Sequence, residues 1–443
     1  MRKVSLMMVA FGAIALAQEA GPPRISLADA IARAKQHAGQ IQSANLAVML
    51  AQQDTAQVRA ARLPSVNAFN QFIYTEGNGT PSGVYVANDG VHVYNEQAQV
   101  HEEVLSFARH GELNRAAAAE AVARAKVDVA ARGLNLTVIQ DYYAILSAER
   151  HVVNLQRSVE ETQQFVNISQ QQEKGGEVAH ADVVRAQIDL MQRQRDLKEA
   201  QIGVDKAKVA LGVLIFPNFS AAFEVVDDIQ QTAMLPPLEE ARAQAVASNP
   251  DVHAANAGVQ QAGYEVDIAR YQFLPSFSLD FFYGIDANEF AITSHHAQDT
   301  GRSTLPNYQV DTRRNLGYSA QATLNIPVWN WGSTRSKIRQ AEMKREQAKL
   351  DLAVAQKTLD GNIASAYAEA QGALVQIESL EGSVALTREN LRLTLLRYKA
   401  GEATAFEVVD AQNTLNAARN ALDDGLIRYR LALATLQTLT GNL

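Results

Sequence analysis

The sequence predicts an α+β protein in which long α-helical hairpins carry four β-strands, too few to close a membrane barrel within one chain. Three observations lead there: the chain is written twice, its helices are too long for one globular core, and its strands alternate apolar with small polar residues.

The duplication is legible without a gap. Leu63-Pro64-Ser65 returns as Leu274-Pro275-Ser276, Leu27 as Leu238, Ala44-Asn45 as Ala255-Asn256 and Arg59 as Arg270, all at one offset (275 − 64 = 211). Further on, Gly176-Glu177 returns as Gly401-Glu402, Val183-Val184 as Val408-Val409 and Ala186-Gln187 as Ala411-Gln412, at an offset of 401 − 176 = 225. The second copy therefore carries 225 − 211 = 14 extra residues between these landmarks. A repeat of roughly two hundred residues far exceeds a solenoid or propeller unit, so it implies two similar halves, residues 18–235 and 236–443.

Residues 1–17 read as a cleaved signal peptide: Arg2 and Lys3, an apolar run from Val4 to Leu16, then Ala15-Leu16-Ala17 before Gln18. No later segment offers eighteen consecutive apolar residues, so no transmembrane helix is expected in the mature chain. Without the signal the charge balance is 38 − 48 = −10, which argues against a nucleic-acid partner. The chain has no cysteine, hence no disulfide framework and no amino-terminal lipid anchor. Any contact with a membrane must come from its own fold.

In the first copy a short helix runs from near Ser26 to His37, with Ser26 as N-cap and Asp29 three residues on. A second runs from about Gln40 to Arg62 and ends at Pro64. Two strands are expected within about 66–104, separated by a loop containing Gly77, Gly79, Pro81, Gly83 and Gly90. From about 112 to 173 one helix extends, its stripe set by Val127, Ala131, Leu134, Val138, Tyr142 and Ile145. At 1.5 Å per residue it would span roughly 90 Å. A turn at 174–177 breaks it, a further helix covers about Val178 to Leu211, and Phe216 to Pro237 links the halves.

The plan then restarts, with a helix at about Asp251 to Phe273 and strands within about 277–326. Phe277, Leu279, Phe281, Tyr283 and Ile285 alternate with Ser278, Asp280, Phe282, Gly284 and Asp286, and Leu316 to Ile326 obeys the same rule. A long helix at about 333–399, a turn at 399–402 and a helix from Thr404 to Leu439 complete the copy. In each half the two shorter helices nearly sum to the long one, so end to end they could line it. Alternation alone fits either a membrane barrel strand or a half-buried soluble hairpin. Open strand edges cannot sit in lipid, so strands in a membrane would require several chains to share one barrel.

Arg397-Tyr398-Lys399-Ala400-Gly401-Glu402, then Phe406-Glu407-Val408-Val409-Asp410-Ala411-Gln412 and Leu415, resembles the signature of TolC-type outer-membrane efflux channels. Asn325-Ile326-Pro327-Val328-Trp329-Asn330-Trp331-Gly332 is similar to that family's strand-to-helix passage. The resemblance implies a homotrimer in which each protomer gives four strands to a shared 12-stranded transmembrane β-barrel and its helices to an α-helical barrel crossing the periplasm. It implies a location in outer-membrane lipid, and as partners a periplasmic adaptor (a membrane fusion protein) and an inner-membrane transporter. The chain would be a passive exit duct of a tripartite efflux or type I secretion system.

Carried over by position, the resemblance implies Tyr398 as a gate tyrosine, Asp182 as its first-copy aspartate, and Glu407 with Asp410 as an acidic constriction. Three apart on a helix, Glu407 and Asp410 share a face, and in a trimer each would form a ring that repels anions. The same residues also fit a solvated helix face. Where some family members place a locking arginine this chain has Ala403, and Arg185 is a candidate partner for Glu407 or Asp410. The adaptor would dock on Gly175, Gly176, Glu177 and Val178 and on Ala400, Gly401, Glu402 and Ala403.

Trp329, Trp331, Tyr318 and Tyr283 fit an interfacial girdle or ordinary packing. His295-His296 reads as a surface pair rather than a metal site. No metal-ligand spacing, nucleophile elbow or phosphate-binding loop occurs, so neither cofactor nor enzymatic activity is expected. The competing reading is a periplasmic coiled-coil scaffold or adaptor that never enters the membrane.

Overall fold

The computed structural model describes residues 22–74, 92–218, 222–229, 234–287 and 316–441. The signal segment, His295-His296 and the glycine-rich stretch from Gly77 to Gly90 lie outside the described residues.

The elements run β1 (Arg24–Ile25), α1 (Leu27–His37), α2 (Gly39–Ala60), β2 (Ser65–Tyr74), β3 (His92–Leu105), α3 (Phe107–Lys174) and α4 (His180–Ile215). They continue with β4 (Glu224–Val225), α5 (Leu238–Ser248), α6 (Pro250–Tyr271), β5 (Ser276–Ala287), β6 (Leu316–Asn325), α7 (Ser333–Lys399) and α8 (Ala405–Thr440). The duplication holds to the residue. Helices α1 and α5 begin 238 − 27 = 211 apart and end 248 − 37 = 211 apart, while α4 and α8 are displaced by 405 − 180 = 225 at one end and 440 − 215 = 225 at the other.

Local chemistry explains the boundaries. Ser26 and Asp29 form the expected capping box at the start of α1. Helix α3 starts five residues before the expected boundary, at Phe107. Ser106 Oγ accepts from the Arg109 amide at 3.4 Å, and Gly111 falls inside the helix. A Cβ at Gly111 would lie 2.7 Å from Ile268 Cγ1, so its absence lets α3 approach α6.

The chain forms two compact units, each drawn from both copies: Met1–Ser43, Val129–Asn249 and Thr358–Leu443 make one, Ala44–Asp128 and Pro250–Lys357 the other. In the first, Ile25, Ile31, Leu134, Val138, Tyr142, Ile145, Leu211 and Ile215 are buried together where α1 meets α3 and α4. The segment expected to be only a link, Phe216 to Pro237, supplies β4, which pairs in parallel with β1. Tyr142 clamps the pair by donating to the carbonyls of Val226 (2.6 Å) and Ile25 (3.3 Å). Just beyond, Asp227 accepts from Arg150 Nε at 3.0 Å and Asp228 is paired with Arg430 at 2.5 Å. A strand of two residues has no periodicity to read, which is why the sequence did not reveal it.

The second unit contains a four-stranded antiparallel sheet in the order β2-β3-β5-β6. Register sorts its faces. Val66, Val100, Phe281 and Ala320 lie in one row across the four strands, and Ala68, Ala98, Tyr283 and Tyr318 in the next. On the opposite face Ser65, His101, Asp280 and Gln321 align, with His101 Nδ1 2.7 Å from Asp280 Oδ1. One face is thus mainly apolar and the other polar, and the apolar side chains Val66, Phe281 and Tyr318 are exposed in the single chain. Among the described residues the outer edges of β2 and β6 have no partner strand. No described helix is long and apolar enough to cross a membrane.

Candidate functional site: the paired glycine turns

The residues singled out by the motif gather in the first unit, where α3 turns into α4 and α7 turns into α8. Both turns close the same way. Gly176 and Gly401 each take φ of 77°, a left-handed conformation that glycine adopts without a Cβ penalty. The Gly176 amide donates to Glu173 O at 2.9 Å and the Glu177 amide to Gln172 O at 2.9 Å. Gly401 to Tyr398 O (3.0 Å) and Glu402 to Arg397 O (2.8 Å) repeat the pattern, so both helices end in a Schellman-type closure.

The two turns differ in how the next helix begins. Helix α4 opens on Ala179 with no side-chain cap. Helix α8 opens on Thr404, which forms a capping box with Glu407. Glu407 has a second bond: Arg397 Nη1 reaches one of its carboxylate oxygens at 3.2 Å, while Arg397 Nη2 donates to Glu402 O at 3.0 Å. The arginine thus spans the second turn from the last turn of α7. At the equivalent place in the first copy stands Gln172 (397 − 172 = 225), which instead reaches across to the carbonyls of Tyr398 and Lys399, both at 3.3 Å.

Tyr398 lies between the two turns and is 1% exposed. Its hydroxyl donates to Ser169 Oγ at 3.0 Å, and its ring meets Phe165 edge-on at 5.0 Å between centroids. Phe165, Val166, Ala186, Leu391, Ala405 and Val408 are buried around it, bringing all four helices together. Burial pushes the Tyr398 phenol above its ordinary value; the bond to Ser169 opposes this and the negative charge of Asp182 adds to it.

Asp182, another motif residue, is half-buried in the first turn of α4, whereas Asp410 is exposed on α8. Arg185 is exposed and holds its guanidinium over the Phe406 ring, 4.8 Å from the centroid, while within the chain the partner of Glu407 is Arg397. Val178 and Ala403 pack partly buried against the cluster around Tyr398, leaving Gly175, Gly176, Glu177, Ala400, Gly401 and Glu402 as the exposed turn residues. Sequence reasoning missed Arg397, Gln172, Ser169, Phe165 and Phe406 as contributors. Arg397 and Glu407 are ten residues apart across a turn, a spacing no helical periodicity flags.

Farther from the turns, Asp189 and Arg193 form a 3.6 Å pair with side chains only 12% and 7% exposed. Thr162 on α3 donates to Gln412 Oε1 on α8 at 3.4 Å. Burial pushes the Asp189 carboxyl up, and Arg193 and Thr162 only partly counter it. A carboxyl raised in the folded state contributes stability below its ordinary value of 3.8 and loses it as pH rises through the folded pKa. Asp189→Asn is therefore expected to match the wild-type urea midpoint below pH 3.8 and to exceed it increasingly as pH rises. A gap independent of pH would refute the burial argument. Among the described residues no three His, Asp or Glu side chains converge as metal ligands.

Residues 241–442 match the sequence profile of the family described as outer membrane efflux protein. Outer membrane efflux protein BepC of Brucella suis biovar 1 is 26% identical over 183 residues, 41% of this chain and 36% of that protein. Alkaline protease secretion protein AprF of Pseudomonas aeruginosa is 22% identical over 315 residues, 70% of this chain and 61% of the relative. The chain thus spans less than two thirds of the length of either. Among solved structures, the outer-membrane channel OprN superposes with a TM-score of 0.80 at 16% identity, covering 94% of this chain and 90% of that one. Residues 241–442 are thus similar to the outer membrane efflux protein family, and the chain as a whole shares the fold of the outer-membrane channel OprN.

Proposed function

We propose that the chain is the outer-membrane exit duct of a tripartite efflux or type I secretion system. Three copies would bring twelve strands together into one closed barrel, with the helices forming a periplasmic tunnel. The observation that carries this reading is the sheet: four antiparallel strands with one apolar and one polar face, and, among the described residues, no partner strand on the outer edge of β2 or β6. Such edges are tolerated in lipid only if neighbouring copies pair them. A periplasmic scaffold outside the membrane would leave the exposed apolar face carrying Val66, Phe281 and Tyr318 without a role.

Within the duct, the glycine turns form the tip that meets the periplasmic adaptor and, through it, an inner-membrane transporter. The exposed turn residues offer the docking surface. Tyr398 acts as the gate's internal tie and Asp182 lies beside it. Asp410, exposed on α8, is the better candidate for an acidic ring, because Glu407 is already engaged by Arg397 and by the cap. Arg185, set over Phe406, stands in for the arginine absent at Ala403 by joining the two tips within a protomer.

Planar-bilayer conductance of the detergent-extracted protein, with its oligomeric mass measured on the same sample, tests the reading. Discrete channels from a trimer are expected. Asp410→Asn is expected to reduce cation selectivity, and Glu407→Gln to alter opening more than selectivity. A monodisperse protein that needs no detergent and does not conduct would overturn the duct.

A further inference from the structure

Helices α3, α4 and α8 meet through a buried layer that is polar where an apolar core would be expected. On α3 the residues buried between Leu146 and Phe165 are Asn154, Leu155, Ser158 and Thr162, three of them polar. On α4 the only residue buried between Ala186 and Leu211 is Arg193, which pairs with Asp189. On α8 the layer is met by Gln412, which is fully buried.

One side of this layer is matched. The Asn154 side chain donates to Asn420 Oδ1 at 2.9 Å and to Asp423 Oδ2 at 2.7 Å, and Arg419 holds Glu161 at 2.8 Å, so α3 and α8 are joined by satisfied pairs. Around Asp189 the matching fails. The Thr162 hydroxyl, with one proton to give, faces both Gln412 Oε1 and the Asp189 carboxyl. Ser158 Oγ, Asp189 Oδ2, Arg193 Nε, Gln412 Nε2 and Asn416 Oδ1 are buried without a partner among the described residues. Ser158 and Asn416 lie one helical turn from Thr162 and Gln412. Buried polar atoms that lack protein partners are normally satisfied by ordered water. This set supplies donors, acceptors and a hydroxyl that is both, which is the complement water requires.

The second hairpin does without such a layer. At the equivalent places stand Thr414 and Ala418 (414 − 189 = 225; 418 − 193 = 225). Thr414 donates to Asp410 O of its own helix at 2.9 Å, and Ala418 joins the apolar cluster around Tyr398.

We propose that Asp189 and Arg193, with Ser158, Thr162, Gln412 and Asn416, enclose an internal site for ordered water, and that this hydrated layer lets the first half of α4 shift against the paired α3 and α8. Water-bridged contacts exchange partners readily, whereas interdigitated apolar side chains must separate before they slide. The start of α4 on Ala179, without a side-chain cap, agrees with a movable helix. The site stands apart from the duct reading; its use, a shift of the first glycine turn during opening, rests on that reading.

Ordered water on Asp189 Oδ2 and Arg193 Nε is expected in a high-resolution crystal structure, and a dry layer there would overturn the proposal. Amide hydrogen exchange of the detergent-extracted full chain reads the movement. Residues 180–196 are expected to exchange faster than the facing stretches of α3 and α8. Asp189→Leu/Arg193→Met dries the layer and should slow that stretch about fivefold or more, since apolar replacement of a buried ion pair is often stabilising. Ser158→Ala/Gln412→Leu dries it from α3 and α8 and should act in the same direction, so the proposal is still tested if one variant fails to fold. Asp189→Asn/Arg193→Gln keeps the layer polar and should preserve the contrast between α4 and its neighbours. Faster exchange in the dry variants would mean that the pair fastens α4, and unchanged exchange that the layer is inert; either overturns the proposal. Bilayer conductance separates the site from its use. Slowed exchange with unaltered channel opening removes the role in opening and leaves the hydrated site, while absence of conductance from every form, wild type included, sinks the duct reading alone.

Discussion

Tyr398→Ala is expected to loosen both glycine turns at once. The ring is buried where α3, α4, α7 and α8 meet, and truncating a buried aromatic of this size typically costs about 3 to 5 kcal/mol. The loss also strips Ser169, itself fully buried, of the hydroxyl bonded to it at 3.0 Å. Tyr398→Phe separates the two contributions, keeping the ring on Phe165 while removing the Ser169 hydroxyl's partner at a cost of about 1 to 3 kcal/mol. Because the chain forms two units, one melting temperature would mix their stabilities, and amide hydrogen exchange resolves them. Faster exchange near Ser169 and in the first turns of α8 is expected, larger for Ala than for Phe. In the proposed duct the same variants should open more readily. Unchanged exchange in Tyr398→Ala would show that the tyrosine does not tie the turns.

Gly284→Val is expected to prevent the sheet from forming. A Cβ at this position would lie 2.1 Å from Glu96 O and 2.6 Å from Gln97 Cα, both backbone atoms of β3, and φ of 156° is unfavourable for any residue with a side chain. Neither neighbour can rotate aside, so the strands must part, a change on the order of 4 kcal/mol or more. Its register partner supplies the control. Gly317 lies directly opposite on β6 with nothing within 4 Å of the corresponding position, so Gly317→Ala should assemble normally. In the proposed trimer, the yield of oligomer in detergent reads both. Equal yields would mean that the close approach of β3 to β5 is not needed for assembly.

The parts of the fold legible in the sequence are those written by neighbours. Ser26 and Asp29 are three residues apart, Pro64 ends the passage from α2, and Gly176 and Gly401 close their own helices. Alternation from Phe277 to Ile285 spans one strand. Helix α3 begins earlier than its local sequence suggests, because Gly111 looks like a breaker when only its neighbours are considered, whereas its value lies in Ile268, 268 − 111 = 157 residues away. The candidate site divides along the same line. The motif locates Tyr398, Glu407 and Asp410, yet not that Arg397 holds Glu407, that Gln172 reaches the carbonyl of Tyr398, or that Arg185 faces Phe406.

Local sequence suffices for the duplication, for seven of the eight described helices, for the four longer strands, for the two glycine turns and for the two-faced character of the strands. Each is encoded by propensities and spacings acting within a few residues, or by direct repetition. Tertiary packing determined that β3 pairs with β5, which joins the two copies in one sheet, and that β4 leaves the linker to pair with β1. It also decided which charges are engaged and which remain exposed. Those choices depend on atoms brought within about 3 to 4 Å by packing between residues far apart in the chain, and local sequence carries no record of that proximity.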